Sequence, residues 1–207
     1  MSALHYILTH LDVIGRYTWQ HVVLVTVSLV IAIAIALPLG VVAARRPRLG
    51  AWIVGTTGVL YTIPSLALLA VLVVTIGLGF TTAVIALVVY AQMILVRSVV
   101  TGLHTVDPAM REAARGLGFT PWQSLMRVEL PAALPVLIGG VRVAAVTLIA
   151  LATLGAWIDA GGLGVLLFEG IHTDDADRII AGALAAALLA ILVDLALRAG
   201  ERVVTEP

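Results

Sequence analysis

Residues able to do chemistry are few in this chain, and their spacing does not suit catalysis. The five histidines (His5, His10, His21, His104 and His172) form no H-x-x-x-H pair, so no metal site is expected. There is no cysteine, which excludes disulfides, thiolate metal ligands and a thiol nucleophile. All twelve basic residues are Arg, and without Lys a G-x-x-x-x-G-K-[ST] phosphate loop cannot exist. Within the long apolar runs the only charges are Arg142 and Asp194. No carboxylate dyad, Ser/His pair or H-E-x-x-H lies in those runs, so an intramembrane enzyme would lack its machinery.

The informative residues are instead helix punctuation in one polar stretch, RSVVTGLHTVDPAMREAARGLGFTPWQSLMRVELP, residues 97–131. Asp107-Pro108 reads as an N-cap followed by Pro at the first helical position. A helix from there places Met110, Ala113, Ala114 and Leu117 on one face, and Gly116 and Gly118 are placed to stop it. Thr120-Pro121-Trp122-Gln123 gives a second start with the spacing of a capping box. That helix presents Trp122, Leu125, Met126 and Glu129, and Pro131 is expected to end it. Two helices this short are marginal alone in water, so they must pack under their own bundle or dock on a partner.

The elements that carry this loop follow from composition. The chain has 207 residues, 61% hydrophobic and 12% charged, with a mean hydropathy of +1.13. Soluble domains are about 45–50% apolar and about 25% charged, so a water-facing globule, a nucleic-acid binder and a disordered chain all fit poorly. An integral membrane protein fits. A helical crossing needs about 20 apolar residues. Charge-free runs supply five, near 22–44, 52–76, 82–100, 134–154 and 179–197, with the loop at 104–131 between the third and fourth. The fold class expected is all-α: one polytopic domain over residues 1–207 with short cytoplasmic helices.

Orientation follows from Arg. Arg45, Arg46, Arg48, Arg97, Arg111, Arg115, Arg127, Arg198 and Arg202 collect on one side of the five spans. Arg16 and Arg178 lie on the other, with Asp12, Asp159, Glu169, Asp174, Asp175 and Asp177. This places the N-terminus outside and the C-terminus in the cytoplasm. The first apolar stretch is longer than a signal-peptide core, and its Arg cluster follows it, so it reads as a retained span.

Glu112-Ala113-Ala114, three residues, Gly118, nine residues, then Val128-Glu129-Leu130-Pro131 resembles the EAA loop of ABC-importer permeases. Thr62-Ile63-Pro64-Ser65-Leu66, Val106-Asp107-Pro108-Ala109 and Ala160-Gly161-Gly162-Leu163-Gly164 resemble the permeases of osmoprotectant importers, over roughly residues 20–200. Asp159 departs from the Gly or other small residue expected there. The resemblance implies a bacterial inner-membrane permease for glycine betaine, carnitine or choline. The same architecture carrying an amino acid, methionine or another small solute is the alternative. It further implies that the loop couples to two ATP-binding subunits, through Asp107, Glu112, Ala113, Ala114, Gly118, Leu130 and Pro131. In that reading Ala113 and Ala114 let the helix sink into a partner's groove, and Gly118 permits a corner that bulk would block. ATP and Mg belong to the partner, and no cofactor is expected on this chain. Five spans are few for an enclosed path, so a second copy or a related permease is expected beside it. An external binding protein would deliver the solute.

Inside the membrane, Pro64 either kinks the second span for packing or bends it to expose Tyr61, Thr62 and Ser65 to the path. Arg142 is expected to anchor, with Glu129 a candidate partner, or to gate. Asp194 and Arg198, four apart, are expected to pair. Ala32, Ala36 and Gly40 suit close helix packing. Trp19, Trp52 and Trp157 suit interfacial anchoring. Residues 155–170, with Asp159, Gly161 and Gly162, read as a re-entrant or interfacial piece near an outer gate.

Overall fold

A chain this apolar satisfies its backbone in lipid only by helices or a closed barrel. The computed structural model, which describes residues 3–205, is helical, with no strand among the described residues. In chain order the helices are α1 (Ala3–Thr9), α2 (Leu11–Arg45), α3 (Pro47–Thr62), α4 (Ser65–Ile76), α5 (Phe80–His104), α6 (Pro108–Gly116), α7 (Pro121–Ser124), α8 (Leu130–Ala152), α9 (Gly164–Thr173) and α10 (Ala176–Thr205). A π turn (Leu125–Glu129) joins α7 to α8, and a 3-10 turn (Thr153–Ile158) extends α8.

Four of these runs are long and apolar enough to cross a membrane: α2, α5, Pro121–Ile158 and α10. A fifth crossing exists if α3 and α4 are taken together, but that pair bends by 94°. The expected second span is therefore broken rather than kinked. Ile63 and Pro64 are both extended, with ψ of 128° and 132°. Proline supplies no N–H and drives its predecessor out of the α region, which together end the helix. Pro131 does the opposite of what was expected. It does not end the second loop helix, which runs on into α8. The π turn widens the helix just before Pro131, where an α-helical carbonyl would have met the ring. α2 also starts earlier than expected, at Leu11, and α1 packs on α10.

α5 is the hub and packs against α2, α8, α3 and α4. Small residues set how close those helices come. Ala32 and Ala36 are buried, and a Cβ on Gly40 would lie 2.4 Å from Val99 Cβ, on α5. Large aliphatics cover the outside, as a lipid-facing surface requires: Val71 and Val74 on α4, Leu188 and Leu192 on α10. Trp19, about two turns into α2, Trp52 in the second turn of α3 and Trp157 in the 3-10 turn are exposed, as interfacial anchors would be.

Candidate functional site

The α6–α7 element is built by the caps its sequence specifies. Asp107 Oδ1 accepts the Ala109 N–H at 2.8 Å, and Pro108 occupies the first helical position. α6 ends in a Schellman motif: Gly118 N–H bonds Arg115 O and Phe119 N–H bonds Ala114 O, both at 3.0 Å. Gly118 has φ +79°. A Cβ there would meet nothing within 4 Å, so the demand for glycine is conformational and bulk is not the barrier. At Thr120 the capping box is complete: Thr120 Oγ1 accepts the Gln123 N–H, and Gln123 Oε1 accepts the Thr120 N–H.

The motif residues divide into two faces. Glu112 and Ala113 are exposed, whereas Ala114 is buried against its own chain. Of the two small residues, only Ala113 is free to meet a partner. Leu117 (76% exposed) and Trp122 (65%) stand out from the element, with Met110 and Met126 beside them. Leu130 is partly buried and Pro131 exposed at the start of α8.

Glu129 was not singled out by its motif position, yet it ties this element to the bundle. Its Oε1 accepts from Arg45 Nη2 at 2.8 Å and from Ser124 Oγ at 3.1 Å. Its Oε2 lies 3.5 Å from Arg111 Nε, and Arg111 in turn donates to the Leu103 carbonyl at the end of α5. One buried carboxylate thus joins α2, α6 and α7 to the π turn that leads into α8. The only sequence signal is an acid beside a span with many Arg on the same side.

Arg142 pairs with α10, not with Glu129. Its Nε and Nη2 donate to the two oxygens of Asp194 at 3.0 and 3.1 Å, and its Nη1 donates to Glu201 at 2.9 Å. Asp194 therefore takes Arg142 rather than Arg198. A fork of donors matched to a carboxylate is the geometry in which Arg binds best. The arrangement clamps α10 to α8.

At the α3–α4 break the structure brings Tyr61, Pro64 and Ser65 together and adds Tyr90 of α5. The Tyr90 hydroxyl donates to the Ile63 carbonyl, one of the groups the break leaves without a helical partner. The Tyr61 and Tyr90 rings stand edge to face, 6.0 Å between centroids and 75° apart.

At the other end of the bundle lies a latch built on a histidine with no metal-ligand spacing. His21 is fully buried. Leu163 N–H donates to its Nδ1 at 3.2 Å, so Nε2 carries the proton and donates to Ile149 O at 3.0 Å. Ile149 O is available because Thr153, entering the 3-10 turn, bonds Leu151 O. Beside it Gln20 Oε1 accepts the Gly162 N–H at 3.1 Å. Gly161 and Gly162 have φ +75° and +83°, and a Cβ on Gly162 would stand 2.9 Å from His21 Nδ1. Asp159 holds φ +63°, a left-handed position that Asp tolerates, which accounts for its place in a Gly-rich turn. The stretch is a 3-10 turn, a tight glycine turn and α9, which packs on the 3-10 turn and on α10.

The long apolar helices, the capped loop and the absence of a nucleotide loop agree with what sequence comparison shows. Residues 36–205 match the model of binding-protein-dependent transport system inner membrane components. The chain belongs to this permease family. The permease is 41% identical over 199 residues to the osmoprotectant import permease protein OsmW of Salmonella typhimurium, covering 94% of this chain and 93% of that one. It is 39% identical over 180 residues to the carnitine transport permease protein OpuCB of Listeria monocytogenes, covering 87% and 83%. Among solved structures it superposes on the inward-facing MetNI methionine ABC transporter with TM-score 0.86 and 26% identity, covering 93% and 96%. The permease is a multi-pass protein of the bacterial inner membrane. It is a transport subunit; ATP hydrolysis falls to a separate subunit, and the family implies a substrate-binding protein as a further partner.

Proposed function

We propose that the permease forms the solute path of an ATP-driven importer for osmoprotectants such as glycine betaine, carnitine or choline. It works with two ATP-binding subunits, which carry ATP and Mg, with a second copy or a related permease, and with an external binding protein. The α6–α7 loop faces the cytoplasm, the side favoured by the Arg distribution, and the N-terminus faces out.

The observation that carries the reading is the pairing of tight caps with exposed apolar side chains on a loop that must face water. A segment this short is fixed by Asp107, Gly118 and Thr120, yet it presents Met110, Leu117, Trp122 and Met126 outward. Ordering such a patch is unfavourable unless a partner covers it. Through Glu129 and the continuous run from α7 into α8, a partner's motion reaches the spans. The solute class is supported by the near-full-length likeness to permeases named for osmoprotectants and carnitine. The likeness to the methionine transporter is lower in sequence.

The test is uptake in cells lacking other routes. Co-expressed with its ATP-binding subunits and binding protein, the permease should accumulate labelled glycine betaine at high osmolarity. Leu117→Asp with Trp122→Asp should abolish co-purification of the ATP-binding subunits and uptake while leaving membrane insertion intact. Full uptake by the double variant overturns the coupling role, and accumulation of methionine instead overturns the solute class.

A further inference from the structure

The α3–α4 break lies in a run, residues 49–96, with no Asp, Glu, Lys or Arg. It falls 16 residues into α3, roughly 24 Å along its axis, well away from that helix's charged start. Lipid offers no hydrogen bonds, so irregular backbone at that depth survives only where protein covers it or water reaches it. This chain covers it in part. The Tyr90 hydroxyl satisfies Ile63 O, but Tyr61, Thr62 and Pro64 stay exposed, and no side chain caps the first N–H groups of α4. The open side of the break therefore faces an aqueous path or a neighbouring permease.

Aromatic residues are scarce here. Trp52 and Phe80 stand near helix starts; the two interior ones, Tyr61 and Tyr90, meet at the break. Rings placed edge to face do not hide both faces of each other. Tyr90 is buried and pinned by its hydrogen bond, whereas Tyr61 is 38% exposed. A cation passing here finds no carboxylate in α3, α4 or α5, only the negative face of an aromatic ring.

We propose that the exposed ring of Tyr61, buttressed by Tyr90, is a transient cation–π station for the quaternary ammonium group of the solute. This deepens the transport reading above and rests on it. A station without formal charge suits a path, since a solute must enter it readily and leave it readily.

The experiment uses the assembled importer in proteoliposomes with its binding protein, ATP and labelled glycine betaine. At position 61 the ring is varied through Tyr61→Phe and then mono-, di- and trifluorophenylalanine, which weaken the ring's negative face at nearly constant size. Tyr61→Phe should stay within about twofold of the native kcat/KM, because the ring and not the hydroxyl holds the cation. Fluorination should lower kcat/KM stepwise, to about a tenfold loss, the size of an exposed-to-desolvated cation–π contact. Assembly and basal ATP hydrolysis should not move. A flat response across the fluorinated series overturns the station, as does native uptake by Tyr61→Leu. If the native importer moves no quaternary ammonium at all, the transport reading falls and takes the station with it.

Discussion

Arg45 and Glu129 meet at 2.8 Å although 84 residues of chain separate them. One closes α2 and the other sits in the π turn that leads into α8. Their contact fixes the capped loop to the bundle at a single buried carboxylate, shared with Ser124 and Arg111.

Glu129→Gln removes the charge at nearly constant shape. Hydrogen bonds to a charged group contribute about 1.5–3 kcal/mol, and that is the loss expected in thermal unfolding of the detergent-solubilised permease. Uptake should fall by tenfold or more at unchanged membrane levels. Arg45→Glu with Glu129→Arg should restore part of it. If the exchanged pair is no better than either single variant, the contact does not position the loop.

Asp194→Ala strands part of the Arg142 guanidinium inside the bundle. Breaking one side of a buried pair costs about 3–5 kcal/mol, and here the remaining contact to Glu201 and partial exposure lower that to roughly 1–3 kcal/mol. The further change Arg142→Met should recover most of the loss, as apolar replacement of an ion pair often does. Protease accessibility of α10 would report the same effect: faster cutting in Asp194→Ala, and native rates in the double variant.

Gly118 separates conformation from crowding. Gly118→Asn should be mild, because Asn tolerates the left-handed region. Gly118→Val should cost the loop about 1–2 kcal/mol and most of the uptake, although nothing stands within 4 Å of the new Cβ. Equal damage from both variants would point to crowding by a partner surface instead.

His21→Phe keeps the ring volume and deletes both ring hydrogen bonds, leaving Leu163 N–H and Ile149 O unpaired. A loss of about 1–3 kcal/mol is expected. Amide hydrogen exchange at Leu163 and the adjacent glycines should rise well beyond that elsewhere in α9. Unchanged protection there would show that Gln20 holds the turn alone.

The parts legible in the sequence are those written in local chemistry. Asp107-Pro108, Gly118 and Thr120-Pro121-Trp122-Gln123 define caps within a few residues, and each cap formed. Charge-free runs marked four long apolar helices for the same reason, while the run expected to cross at 52–76 is broken at Pro64. Partners distant along the chain were not legible. Nothing near Arg142 shows that two acids on the last helix will reach it, and the i,i+4 spacing of Asp194 and Arg198 pointed elsewhere. Proline was the ambiguous letter. Pro64 ended its helix and Pro131, preceded by a π turn, did not, while α2 and α8 also run on through Pro38 and Pro135. His21 was hidden because its work is to hold backbone groups, which leaves no spacing signature.

The run from Pro121 to Ile158 is 38 residues of nearly unbroken helix, roughly 57 Å from end to end. One tip carries Trp122 and the other leads into the turn that His21 fastens. Packed along α5, it links the capped loop at one end of the bundle to the turn held by His21 at the other. Three interruptions divide its stiffness: the π turn beside Glu129, Pro135 inside α8, and the 3-10 turn that begins at Thr153.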